Sequence, residues 1–148
     1  MAVVPQVSAI AVVGLPEFVM GDDVGAMIVE QCGLNGTVLA DGDLIVVAQK
    51  IVSKAEGAVA VIADQRPSDE AVELAEPLGK DPRLVQIVLD QSARVGRAVP
   101  GVLIVETLHG FICANAGVDH SNIDSDDVVT TLPKDSDVSA RAIRDTLV

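Results

Sequence analysis

A carboxylate and an amide follow directly on an apolar run in Gly110-Phe111-Ile112-Cys113-Ala114-Asn115-Ala116-Gly117-Val118-Asp119-His120-Ser121-Asn122. Carboxylate oxygen is a ligand for hard cations such as Mg²⁺ or Mn²⁺, which gives Asp119 one possible role. A carboxamide donates and accepts hydrogen bonds, as a nucleotide or a sugar requires, which gives Asn122 another. Gly117 lets the backbone turn sharply or approach a ligand closely. The same residues also suit a plain turn, in which Asp and Asn bond their own backbone. From this stretch alone turn capping is the stronger reading.

A second stretch is Gln49-Lys50-Ile51-Val52-Ser53-Lys54, which holds two of only ten basic residues. Read as extended, it places Lys50 and Lys54 on one face, because side chains alternate with period two. Two ammonium groups on one face suit a polyphosphate; the alternative is a solvated strand edge on which lysines discourage aggregation. A third is Gly14-Leu15-Pro16-Glu17-Phe18 with Gly21-Asp22-Asp23. A strand, a rigid loop and a capped helix there could hold a ligand against backbone amides, or could be an ordinary connector. Asp124, Asp126 and Asp127 lack the spacing and closing glutamate of an EF-hand loop and read as a solvated loop. His109 sits in an expected hairpin turn and His120 in the candidate site loop; either could be catalytic, but two histidines alone assign nothing.

The elements that must position these groups follow from pattern. The 148 residues suit one domain, residues 1–148. Residues 7–13 read as a strand closed by Gly14-Leu15-Pro16. Asp22 or Asp23 caps a helix to about Cys32. Asp41-Gly42-Asp43 turns into a short apolar strand, Leu44–Ala48. Residues 51–62 read as extended, interrupted near Ala55-Glu56-Gly57. Ser68 starts a helix to about Leu78, and Asp81-Pro82 opens another with Leu84, Val85, Ile87, Val88 and Leu89 on its apolar face. Val102–Thr107 and Phe111–Ala116 form a hairpin around Leu108-His109-Gly110. Val128–Leu132 is a short strand, and Asp135 or Ser136 caps a final helix through Leu147. The order of elements predicts an α+β fold with a mixed or antiparallel sheet and packed helices.

Composition narrows the function classes. The chain is 49% hydrophobic, with two Phe, no Tyr and no Trp, so stacking of bases on aromatic platforms is nearly excluded. A formal net charge of −12 argues against DNA or RNA, but not against a small phosphorylated ligand neutralised by local lysines and a metal. Cys32 and Cys113 form no Cys/His ligand cluster, and as free thiols they fit a reducing cytoplasm. The N-terminus lacks a secretory signal pattern, and no apolar run reaches membrane-spanning length. Walker-type, dinucleotide-binding and nucleophile-elbow motifs do not occur.

Taken together and in order, these stretches resemble the GTP-dependent coenzyme F-420:γ-glutamyl ligases. The blocks are Gly14–Phe18 with Gly21-Asp22-Asp23, Asp41-Gly42-Asp43 through Lys50–Gly57, Asp81-Pro82-Arg83-Leu84-Val85, Gly101–Thr107, His109–Asn122, and Leu132-Pro133 with Ser139-Ala140-Arg141. Each is weak alone; the ordered set is specific. The resemblance implies addition of L-glutamate to a deazaflavin coenzyme precursor, with a carboxylate on the growing tail activated by GTP as an acyl phosphate and Mg²⁺ or Mn²⁺ neutralising charge. It implies that Leu15, Pro16, Glu17 and Phe18 form part of the nucleotide site, that Gln49, Lys50 and Lys54 contact the nucleotide, that Asn122 does so too, and that Asp119 is a metal ligand. It assigns no catalytic residue here.

Three departures accompany it. Gln49 stands where the family commonly has a small hydroxyl residue. His120 replaces a usually small residue and could crowd the metal or add a ligand. The family also continues for roughly another hundred residues, a span of ordinary domain size, carrying a Thr-Asp-Thr/Ser type motif with further metal ligands. The chain is therefore expected to be the N-terminal part of such a ligase, acting as a homodimer or with a complementary C-terminal chain. The alternatives are a non-catalytic nucleotide- or partner-binding module with the same half-fold, and a structural subunit that needs a complementary chain.

Overall fold

A computed structural model describes residues 7–120 and 127–147. It is α+β. Among the described residues, five helices accompany two antiparallel sheets: α1 (Val24–Leu34), α2 (Gln49–Ala55), α3 (Asp69–Leu78), α4 (Pro82–Asp90) and α5 (Ser136–Leu147), with β1 (Val59–Val61), β2 (Ser92–Val99), β3 (Val102–Thr107), β4 (Ile112–Ala114) and β5 (Val128–Thr130). One sheet has the order β1-β5 and the other β2-β3-β4.

The helix starts follow from their caps. Asp23 accepts from the Ala26 N–H at 2.9 Å, Ser68 from Ala71 at 3.2 Å and Asp81 from Arg83 at 2.8 Å. Asp135 accepts from both Asp137 and Val138 at 3.0 Å. Each satisfies amides that have no partner inside their own helix. Asp81 also receives the Arg83 guanidinium, and that hydrogen bond holds its carboxyl below the usual value.

Three apolar clusters hold the fold. In the first, Ala71, Ala75 and Leu78 of α3 and Val85 and Val88 of α4 pack on Leu103 and Val105 of β3, together with Ala116. In the second, Phe18, Val24, Ile28 and Cys32 gather Leu15, Ile45, Val47, Ile51, Ala55 and Ile143 around them. The third joins Ile62, Ile87 and Val129. Within the second, α1 and α5 approach so closely that a Cβ on Gly25 would lie 2.7 Å from Thr146 Cβ. Cys32 is buried; Cys113, on β4, is only half-buried.

Four expectations need correction. Residues 7–13 and Leu44–Ala48 form no strand. Alternation and apolarity report burial, but a strand also needs a hydrogen-bonded neighbour. Ile45 and Val47 do pack into the second cluster, while Leu44 and Val46 are 91% and 93% exposed. The segment expected as extended from residue 51 begins instead inside α2; only Val59–Val61 is strand. The β-branched Ile51 and Val52 mimic a strand signal, but Ile51 and Ala55 recur at helical spacing and face the second cluster. The strand β2 was not expected. Its Arg94, Gly96 and Arg97 dilute the apolar pattern, and register shifts between Ser92/Arg94 and Val95/Arg97 break the alternation. The turn signal Pro100-Gly101, with Gly101 at φ +78°, marks its hairpin with β3. The β3–β4 hairpin, β5 and the last three helices stand where the pattern placed them.

Candidate functional site

The helix α2 is the centre of the site. Seven residues are too few for a free helix in water, where roughly 12–15 are already marginal, so its stability comes from anchors. The Ser53 hydroxyl, fully buried, donates to the Thr131 carbonyl at 2.6 Å. The Gln49 amide nitrogen donates to the same carbonyl at 3.1 Å and to Ser53 Oγ. At the other end the Gly21 N–H donates to the Ala55 carbonyl at 2.9 Å. The helix is thereby tied both to the segment after β5 and to the loop after Phe18.

Lys50 and Lys54 do share a face, though for a helical reason: residues four apart are neighbours on a helix surface. Lys50 Nζ lies 2.7 Å from Asp119 Oδ2, with side chains 19% and 41% exposed. Lys54 pairs with Glu17 of the Leu15–Phe18 loop. The structure thus brings together Glu17, Lys50, Lys54 and Asp119 from three distant stretches. Leu15 packs against the second cluster and Pro16 is exposed. Phe18 is only 4% exposed; its side chain anchors the loop from below. Gln49 braces α2 through its amide nitrogen. Asn122, Asp124 and Asp126 lie outside the described residues.

Asp119 is aimed by an unusual turn. Asn115, Ala116 and Gly117 have φ of 52°, 54° and 71°, three left-handed residues in succession. Such backbone costs an L-residue about 1–2 kcal/mol, less for Asn and nothing for Gly. The cost is offset by burying Ala116 completely and by a bridge that locks Asp119 to Thr130, with N–H donations of 3.0 and 2.9 Å in the two directions. A Cβ on Gly117 would stand 2.8 Å from Leu132. Gly117→Val is therefore expected to destabilise the chain by about 2–4 kcal/mol, from left-handed strain plus overpacking. Urea unfolding measures this; an unchanged midpoint means the turn relaxes freely.

Two features go beyond what the sequence showed: a cavity, and the bracing role of His109. A cavity of about 900 Å³ adjoins α2, lined largely by apolar groups that include Leu39, Ile45, Val52, Phe111, Leu132 and Ile143. His109, on its wall, places Nε2 at 3.0 Å from the Pro133 carbonyl and 3.1 Å from that of Lys134, and stacks on Phe111 with ring centroids 6.0 Å apart. It fastens the β3–β4 turn to the start of α5. The apolar character of Leu44–Val47 was the available signal for the cavity wall.

As a metal position, Asp119 supplies one anionic oxygen, and the cation it holds here is the Lys50 ammonium. Among the described residues no group of three or more His, Cys, Asp or Glu side chains converges. The donor set fits one attachment point for a hard cation, the number Mg²⁺ often takes from protein when phosphates supply the rest.

An α+β chain with an ionic site around one short, tertiary-anchored helix is the class that fold and geometry define. The chain belongs to the F420-0:Gamma-glutamyl ligase family, whose description matches residues 13–148. It is 45% identical over 141 residues to the coenzyme F420:L-glutamate ligase of Methanothermobacter thermautotrophicus, covering 95% of this chain and 56% of that protein. It is 46% identical over 106 residues to the like-named protein of Methanococcus maripaludis, covering 72% and 42%. Against that of Methanopyrus kandleri it is 42% identical over 124 residues, covering 84% and 47%. The chain spans about half the length of the curated relatives it matches. No helix among the described residues is long and apolar enough to cross a membrane.

Proposed function

We propose that this chain carries the nucleotide- and metal-facing part of a ligase that adds L-glutamate to the coenzyme F-420 precursor at the expense of GTP. The observation that supports this most is the meeting of Lys50 and Lys54, on one face of α2, with Asp119 and the Leu15–Phe18 loop. The relatives' names support a ligase that joins L-glutamate to coenzyme F420; the use of GTP and the steps below are our proposal. A carboxylate is a poor electrophile at neutral pH, so it must gain a leaving group. A tail carboxylate oxygen attacks the γ-phosphorus, the bond to the β-phosphate oxygen breaks, and GDP departs. The glutamate amine then attacks the acyl carbon, losing a proton, and phosphate leaves with its bonding oxygen.

The residues here serve binding and orientation. The ammonium groups of Lys50 and Lys54 neutralise phosphate oxygens, which suits a reaction that is mostly positioning and charge stabilisation. Asp119 would hold part of the coordination of a divalent cation, Mg²⁺ or Mn²⁺, which would add positive charge beside the transferring phosphoryl group. The loop Leu15-Pro16-Glu17-Phe18 is rigid at Pro16 and pinned by Phe18, so it presents fixed backbone to the nucleotide. Lys54→Ala is expected to weaken GDP binding by about 1.5–3 kcal/mol, the loss of one charge-assisted hydrogen bond. Calorimetric titration measures it, and an unchanged affinity returns Lys54 to the role of a surface ion-pair partner.

A second reading is a non-catalytic nucleotide-binding module. It is favoured by the single carboxylate attachment point and the lack of a converging ligand cluster among the described residues. It predicts GDP binding that persists with no glutamate transfer under any complementation.

A further inference from the structure

Among the described residues, each lysine of the site meets a carboxylate. Lys50 faces Asp119 and Lys54 faces Glu17, so both candidate phosphate-binding ammonium groups are matched by carboxylates. The whole chain carries a formal charge of −12, and an acidic surface repels a polyanion. A lysine released from its carboxylate attracts phosphate more strongly than a paired one.

We infer that Lys50 occupies the cation position on Asp119 until a divalent cation takes it, and that the released ammonium then serves the phosphates, so that cation and polyphosphate bind with positive coupling. The inference rests on the reading of Asp119 as a cation ligand. Three observations carry it. The ammonium nitrogen is 2.7 Å from Oδ2, the place a competing cation must occupy. The Lys50 side chain is 19% exposed and that of Asp119 41%, so solvent and a dissolved cation reach the carboxylate and partly screen the pair. The helix itself stays in place, because Ser53 and Gln49 fasten it to the Thr131 carbonyl, while the lysine has a flexible four-carbon stem. A divalent ion arriving at Asp119 brings two positive charges and frees a third. By linkage, polyphosphate raises cation affinity by the same factor.

The test separates the exchange from the ligase reading. Free Mn²⁺ is followed by electron paramagnetic resonance in titrations of the 148-residue chain without nucleotide. Lys50→Met is expected to tighten Mn²⁺ binding by about two- to fivefold, the factor a solvent-screened ion pair is worth. Asp119→Asn is expected to abolish it in both backgrounds. With Mn²⁺ saturating, Lys50→Met is expected to weaken GDP binding by about tenfold or more, the loss of a charge-assisted contact. Opposite effects on the two ligands are what a merely structural ion pair does not produce. Unchanged or weaker Mn²⁺ binding in Lys50→Met overturns the inference whatever GDP does, and so does Mn²⁺ binding that survives Asp119→Asn. Tighter Mn²⁺ binding combined with no GDP binding by either protein upholds the exchange and removes the GTP reading instead.

Discussion

Asp119→Asn is expected to lower GTP-dependent glutamate addition by at least about a hundredfold, once the chain is supplied with the C-terminal portion of a relative such as the Methanothermobacter protein. The loss should exceed the about 10–100-fold that follows removal of an outer-shell metal partner, because on the proposed reading the anionic ligand itself goes. The substitution is nearly isosteric, and the backbone bridge to Thr130 does not involve the side chain, so the fold survives. The partition of the effect is informative. Nucleotide affinity should fall less than turnover, since the charge matters most while the phosphoryl group transfers. Full activity in Asp119→Asn would remove the metal assignment and leave Asp119 as the partner that orders Lys50.

The second large effect concerns association. Leu44-Ile45-Val46-Val47 is apolar on both faces: Ile45 and Val47 point into the second cluster, while Leu44, Val46 and the nearby Val38 are almost fully exposed. Val7, Ile10 and Val13 are exposed as well. A run apolar on both faces is the pattern of a strand covered on both sides, and uncovered apolar patches usually find a partner. Sedimentation of the chain at micromolar concentration is expected to report a dimer or larger. Leu44→Lys with Val46→Lys should weaken that association by about tenfold or more, since those substitutions leave the inward residues untouched. A monomer with a cooperative melt contradicts this reading of the exposed face.

Local signals in the sequence were strong enough to place much of the fold. Asp23, Ser68, Asp81 and Asp135 each cap the helix that follows them, because capping is decided within three residues. The β3–β4 hairpin is equally local. What failed was decided at a distance. The helix α2 forms where β-branched residues suggested extension, and it does so because Ser53 and Gln49 find the carbonyl of Thr131, far along the chain. Residues 44–48 announce burial correctly, yet no local pattern can supply the neighbouring strand. β2 escaped notice because its bulges disrupt the period-two pattern.

The site divides the same way. The residue types and their spacing singled out Lys50, Lys54 and Asp119, and helical geometry preserves the common face of the two lysines. The pairing of Lys50 with Asp119 and of Lys54 with Glu17 is tertiary information that spacing does not contain. Nor did spacing disclose the left-handed run Asn115-Ala116-Gly117, since Ala116 is not a residue that advertises positive φ.

The most direct test of the central claim is a glutamylation assay read by mass spectrometry, with the coenzyme precursor, L-glutamate, GTP and Mn²⁺, run on the chain with and without the complementary C-terminal portion of a relative. The account predicts background conversion by the chain with one carboxylate attachment point, and GTP-dependent gain of a glutamyl residue when the complement is present. Elongation by the isolated chain at an ordinary enzymatic rate, about 1–10³ s⁻¹, or no elongation by the folded complemented assembly, would contradict it.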